Sequence, residues 1–312
     1  MSTPVLQVSD LKKHFPIRAG FFGGTTGHVY AVDGVSFDIA KGETLSLVGE
    51  SGCGKSTVGK AVLRLFDITA GQVVLDGQRI DDMPASTLRP IRRRMQVVFQ
   101  DPFSSLNPRM RVRDILAEPI RNFGMAKNSA DLEARVAKLM DTVRLPRDAV
   151  GRFPHEFSGG QRQRICVARA LVMKPSVIVA DEAVSALDVT MKTQIVNLMM
   201  DLQQEMGLGF LFISHDMAVV ERISHTVAVM YLGEIVEIGP RAAIFGNPAH
   251  PYTKRLLSAV PVPDPSLRGQ RNPPPVLELN SPVRPRDYQP PERDYIEASP
   301  GHFVQVPGPE WA

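Results

Sequence analysis

At 312 residues with 43% hydrophobic side chains, the chain can bury a sizeable core and is neither a disordered tail nor a disulfide-stapled miniature. Its 36 basic and 33 acidic side chains leave a net charge of +3, too mild to announce a nucleic-acid partner, and two cysteines build neither a disulfide scaffold nor a four-cysteine metal site. No stretch reaches the roughly 18 uninterrupted apolar residues that span a bilayer, and Met1-Ser2-Thr3-Pro4 lacks the regions of a signal peptide, so a reducing cytoplasm is expected and any link to a membrane comes through a partner.

In chain order, Val5 to Val8 and Val35 to Ile39 read as short strands, with residues 19–27 between them as a glycine-rich surface loop. Phe15, just before that loop, is a candidate to stack on an adenine ring, and Tyr30 competes for the role. The apolar run Thr44 to Val48 leads into Gly49-Glu50-Ser51-Gly52-Cys53-Gly54-Lys55-Ser56-Thr57, followed by a helix-like Val58 to Leu65. This is a phosphate-binding loop. Its glycines let successive N–H groups point inward at a helix N-terminus, making a nest for a polyphosphate. In such loops the lysine, here Lys55, bridges the outer phosphates, the hydroxyl of Ser56 binds Mg²⁺, and Thr57 contacts an inner phosphate.

Gln72 to Leu75 reads as a strand, Asp76-Gly77 as a turn, and Arg92-Arg93-Arg94 as the solvated face of a helix. Gln96 to Phe99 is a buried strand ending in Gln100-Asp101-Pro102, and α/β sheets place their ligand contacts at such ends. Residues 112–154 are helical and amphipathic, as an inserted helical subdomain would be. They end at Phe157-Ser158-Gly159-Gly160-Gln161, a second helix start equipped to hold an anion. Val177 to Ala180 runs as a buried parallel strand into Asp181-Glu182. Beside a phosphate loop, the first carboxylate holds Mg²⁺, directly or through water, and the second accepts a proton from an attacking water. Ser185 to Asp188 turns into a helix from Met191 to Met206, and the strand Phe210 to Ile213 ends in Ser214-His215-Asp216, which marks His215 as functional. Thr226 to Met230 and Glu234 to Ile238 read as a hairpin. Half of the 26 prolines lie beyond Ala259, which reads as an extended arm with little core of its own.

Together, Gly49 to Thr57, Gln100, Phe157 to Gln161, Asp181-Glu182, Ser185 to Asp188 and His215 resemble the complete motif set of an ABC transporter ATP-binding subunit, over residues 5 to about 260. The resemblance is closest to the oligopeptide and dipeptide importers, and among them to the second of the two ATPases. It rests on the long loop before Ala31 to Phe37, on Gln100 to Pro108, on Asn247-Pro248-Ala249-His250-Pro251-Tyr252-Thr253 and on Ser299 to Phe303 at the tail's end.

The resemblance implies an α/β P-loop NTPase fold of ABC type: a mixed sheet core with an antiparallel β layer, a helical subdomain at about 105–160, and a proline-rich arm. The ATP-binding domain would span 1–260 and an oligopeptide-transporter-type extension 261–312. It implies ATP and Mg²⁺ as ligands. Lys55, Gln100, Glu182 and His215 would be catalytic, and Ser56, Gln100 and Asp181 would face the metal. Phe15, Gly49 to Thr57, Gln100, Ser158, Gly159, Gly160, Gln161 and Asp181 would surround the nucleotide. The implied partners are a homologous second ATPase in a heterodimer, two transmembrane permease subunits and an extracytoplasmic peptide-binding protein, with no nucleic acid. The implied place is the cytoplasmic face of the bacterial inner membrane, held peripherally. The cargo stays open among di- and oligopeptides, nickel complexes and sugar-derived solutes; a soluble ABC protein that does not transport is the remaining alternative.

Three departures bear on this. Phe157 stands where leucine is usual and keeps the apolar packing, while Ala183 stands where proline commonly follows the acidic pair and is expected to loosen that turn slightly. Many relatives carry tail cysteines that hold an iron-sulfur centre, but no cysteine follows Cys166 here, and such centres need thiolates. The purified protein is therefore expected to be colourless; visible-range absorbance with stoichiometric iron would contradict this.

Overall fold

The computed structural model describes residues 3–19, 24–259, 281–285, 288, 290, 291, 293–308 and 311. It opens with two long strands, β1 (Pro4–Ala19) and β2 (Gly24–Ala40), paired antiparallel along their whole length. Of the surface loop expected over 19–27, residues 19 and 24–27 instead belong to these strands, and 20–23 lie outside the described residues. The strands were read too short because bulges at Val8/Leu11, Lys13/His14 and Ile17/Arg18 break the two-residue alternation by which a strand is recognised.

Next come β3 (Thr44–Val48), α1 (Lys55–Val62), β4 (Ala70–Leu75), β5 (Gln78–Arg79) and α2 (Ala85–Ile91). Helix α1 starts at Lys55, not Val58, and stops at Val62, because Arg64 takes a left-handed φ of 52°. Gly59 lets this helix approach the sheet: a β-carbon there would sit 2.9 Å from Ile213 and 3.1 Å from Val179. The arginine run has no buried residue but is anchored by polar and ring contacts. It forms a single 3₁₀ turn, in which Arg92 donates to the Arg64 carbonyl at 2.7 Å, Arg93 covers the Phe123 ring and Arg94 pairs with Asp76.

The strand β6 (Met95–Val98) is followed by α3 (Pro102–Ser105), α4 (Val112–Asn122), α5 (Ser129–Thr142), two short 3₁₀ turns and α6 (Gly159–Leu171). Then β7 (Val177–Asp181), α7 (Val189–Met206), β8 (Gly209–Ile213), α8 (Met217–Ile223), β9 (Thr226–Tyr231), β10 (Glu234–Pro240), α9 (Arg241–Gly246) and α10 (Pro251–Ser258) complete the body.

The central sheet runs β9, β3, β8, β7, β6 in parallel, with β10 added antiparallel beside β9. Its strands read as unbroken apolar runs because both faces are covered. Val177, Val179, Leu211 and Ile213 face the core shared with β1, β2 and α1, while Ile178, Ala180, Phe210 and Phe212 face the core built by α4 to α7. All five residues of β3 are buried, so the loop that leaves its end is anchored at the centre of the molecule.

The described part of the proline-rich tail adds strands to both sheets. The strand β11 (Val283–Pro285) pairs with β2, and a hairpin of β12 (Tyr295–Ser299) and β13 (His302–Gln305) joins β10. Pro285 is tolerated because β11 is an edge strand, and Gly301 (φ 71°) turns the hairpin. His302 and Val304 are buried. Residues 260–280 of the expected arm lie outside the described residues. Among the described residues no helix is long and apolar enough to cross a membrane.

Candidate functional site

Ser51 to Gly54 of the loop between β3 and α1, with the first turn of α1, line a cleft of about 200 Å³. Gly49 and Gly54 take positive φ of 149° and 111°, and a β-carbon on either would collide with the carbonyl oxygen of Met230 or Ala31, so these two positions admit no side chain. Lys55 is nearly buried. Its ammonium folds back on the loop, donating to the carbonyls of Gly49 at 2.8 Å and Glu50 at 2.7 Å, with Cys53 Sγ at 3.6 Å. Burial pushes the Cys53 thiol above its usual range, against the opposing pull of Lys55, so it is a packing group and not a nucleophile.

Ser56 Oγ donates to Asp181 Oδ1 at 2.8 Å, joining the first turn of α1 to the end of β7. Burial raises the Asp181 carboxyl above the ordinary range; the Ser56 hydrogen bond and the charge of Lys60 work against it. A hydroxyl and a carboxyl, both hard oxygen donors at this spacing, suit a Mg²⁺ that keeps its other positions for water or phosphate.

Glu182 carries a left-handed φ of 50°, a conformation costing of order 1 kcal/mol in a non-glycine residue. Its N–H donates to the Ile213 carbonyl at 2.9 Å, and its own carbonyl accepts from the Ser185 N–H and hydroxyl at 3.0 and 2.9 Å. These bonds close the turn in which Ala183 replaces the usual proline. The Glu182 side chain lines the cleft, and the more exposed His215 places its Nδ1 3.4 Å from Oε1.

The structure therefore brings together Ser51 to Thr57, Asp181, Glu182 and His215, with Tyr30, Gly233 and Pro282 completing the rim. The residues lining this cleft do not include Phe15, Gly49, Glu50, Gln100, Ser158 to Gln161, Asp181 or His215, of which Asp181 and His215 are joined to it through Ser56 and Glu182. Gln100 is exposed in the bend after β6. Phe15 is 37% exposed and meets Phe66 edge to face, whereas Tyr30 stacks on His14 with centroids 3.8 Å apart and so has one face covered. Ser158 caps α6 reciprocally with Gln161, and a β-carbon on Gly160 would sit 2.7 Å from the Met191 sulfur.

The ABC transporter family model matches residues 32–185, and the model for the C-terminal region of oligopeptide/dipeptide transporters matches 236–282. The chain belongs to the ABC transporter family, in its oligopeptide/dipeptide branch. It is 54% identical over 307 residues to the glutathione import ATP-binding protein GsiA of Salmonella paratyphi A, covering 97% of this chain and 49% of that protein. To GsiA of Escherichia coli strain K12 it is 53% identical over 312 residues, 99% of this chain and again 49% of the relative. The chain thus spans about half the length of these relatives. Among solved structures it resembles cbiO1 of Clostridium perfringens, part of the cbiONQ ABC transporter complex, at a TM-score of 0.68 and 25% identity over 78% of this chain and 91% of that one. The ATP-binding cassette MJ0796, solved as a dimer bound to ADP and Pi, matches at 0.66 and 26% identity over 76% and 98%.

This ABC cassette also holds contacts to the phosphate loop that sequence reasoning missed. The N–H of Glu50 donates to the Tyr252 hydroxyl at 2.9 Å, and the Glu50 carboxylate meets Arg255 at 3.1 Å. Tyr252 lies inside Asn247 to Thr253, noted in the sequence as a branch marker. Nothing in its composition indicated that it touches a loop 202 positions earlier.

Proposed function

We propose that the chain is an ATP-hydrolysing subunit that powers peptide import through an ABC transporter. The observation that carries this reading is the Glu182 carboxylate, held by a strained turn inside the phosphate-loop cleft with His215 against it. Lys55 exchanges the Gly49 and Glu50 carbonyls for the outer phosphates of ATP, with the loop N–H groups and Thr57 taking the rest. Ser56 and Asp181 would hold Mg²⁺, whose charge would offset that developing on the phosphates. Glu182 takes the proton of the attacking water, and His215 holds the carboxylate in line. Phe15 offers the more open ring for adenine.

In this reading 1–260 is the ATP-binding domain, with the helical subdomain at about 105–160, and 261–312 its extension. Ser158 to Gln161 close over ATP bound to a second, homologous cassette, and that cassette's own signature closes over Lys55 of this chain. Two transmembrane permeases and an extracytoplasmic binding protein complete the assembly at the cytoplasmic face of the bacterial inner membrane. Small peptides are the cargo, a class that includes the tripeptide glutathione in the name of the relatives. The test is ATP-driven uptake in liposomes that hold the complete transporter and its binding protein. Accumulation of di- or tripeptides is expected; uptake of a nickel complex or sugar-derived solute instead would contradict the peptide assignment.

Gln100 sits where β6 leaves the sheet for α3 and the helices that would touch the permeases. Gln100→Ala is expected to reduce transport per ATP hydrolysed several-fold more than it weakens nucleotide binding. Equal loss of both in the same liposomes would argue against a coupling role.

A further inference from the structure

The peptide plane joining Gly49 to Glu50 is bonded on both sides. Its carbonyl accepts from the Lys55 ammonium at 2.8 Å, and its N–H donates to the Tyr252 hydroxyl at 2.9 Å. In a trans peptide these two groups point in opposite directions, so Tyr252 sets the rotation of the plane that presents its oxygen to Lys55. Arg255, one turn along α10, fixes the Glu50 side chain at 3.1 Å. The tyrosine is itself nearly fully buried, and burial keeps its hydroxyl protonated.

What holds α10 in place is a carboxylate with no exposure at all. Glu237 accepts from the N–H groups of Ala249 at 2.8 Å and His250 at 3.0 Å, which orient the start of α10, and its third partner is His302 Nε2 in β13 at 2.7 Å. His250 Nδ1 then accepts from the Tyr252 N–H at 3.1 Å. A buried carboxylate is costly unless its acceptor capacity is filled, so losing the tail's contribution would disturb the start of α10 and, through it, Tyr252. Trp311, near the chain's end, packs edge-on to both His250 and Tyr252, at 5.1 and 5.9 Å between centroids.

We propose that Tyr252 is a positioning residue for Lys55, kept in register by the buried Glu237–His302 pair, so that the C-terminal tail sets the nucleotide affinity of the phosphate loop. This rests on the reading of the cleft as a Mg-ATP site. A merely structural role would lower thermal stability in proportion to any loss of binding; a positioning role separates the two.

The test uses the full chain, titrated with a fluorescent Mg-ATP analogue, with its unfolding midpoint measured without nucleotide. Tyr252→Phe removes only the hydroxyl that receives the Glu50 N–H. It is expected to weaken binding by about 5- to 150-fold, the range for one hydrogen bond whose donor is left unpaired, and by more than any fall in the midpoint accounts for. His302→Ala should weaken binding in the same direction, and His302→Gln, which keeps a donor near Glu237, should recover most of it. If Tyr252→Phe lowers the midpoint as well, Arg255→Gln decides: it lies at the surface of the same helix, and weaker binding without loss of stability supports the proposal. Wild-type affinity in both Tyr252→Phe and Arg255→Gln overturns it. Failure of the unsubstituted chain to bind the analogue overturns the Mg-ATP reading itself, and this inference with it.

Discussion

Replacing Glu182 by glutamine is expected to leave Mg-ATP bound while slowing its hydrolysis by about 10²- to 10⁴-fold, the usual consequence of removing a general base. The substitution preserves shape. The backbone bonds that impose the φ of 50° at this position come from Ile213 and Ser185, and neither involves the carboxylate. The turn, the Ser56–Asp181 contact and the folded-back Lys55 should therefore survive, and the unfolding midpoint should match that of the unsubstituted chain. Parallel measurement of nucleotide affinity and steady-state phosphate release separates binding from chemistry. Hydrolysis at the unsubstituted rate would remove Glu182 from the catalytic role.

The second large effect is expected at a site this chain does not itself complete. Ser158 to Gln161 open α6, which follows the helices between β6 and α6, and none of these residues lines the cleft beside Lys55. In an assembly with a second cassette, Ser158→Arg should cut hydrolysis at the ATP held by the partner by about 10²-fold or more, because it puts a bulky side chain where anion-binding donors are needed. The cap contributed by Ser158 is worth only about 1 kcal/mol, against the 5–15 kcal/mol that stabilises a typical domain, so the fold should persist. Binding of nucleotide at Lys55 should be unchanged. Occupancy and turnover measured in complexes substituted on one side at a time check this; loss of ATP binding to the substituted chain alone would contradict it.

Most of the cleft was legible in the sequence because its chemistry is local. A glycine loop between a buried strand and a helix, and two carboxylates at the end of another, declare their geometry within a few residues of backbone. What was not legible depends on distance or on broken periodicity. The bulges in β1 and β2 hid two strands of 16 and 17 residues behind an irregular pattern. The prolines of the tail masked β12 and β13, because a five-residue and a four-residue strand barely shift the composition around them. The contacts of the arginine run were not legible because Asp76, Phe123 and the Arg64 carbonyl, its partners, are scattered along the chain. Tyr252 stood in a quoted motif, yet its contact with Glu50 is a property of how α10 docks on the finished sheet, which no local pattern encodes.

The central claim is that this cleft binds Mg-ATP and hydrolyses it at full rate only when a second cassette supplies the missing donors. Phosphate release from Mg-ATP by the purified chain, alone and then combined with the second cassette and the membrane subunits, tests it most directly. The account predicts nucleotide binding with slow release for the chain alone, and a rise of at least about tenfold on assembly, as expected when transition-state donors are added to a site that already binds. Full-rate hydrolysis by the isolated chain as a monomer, unchanged on assembly, would contradict it.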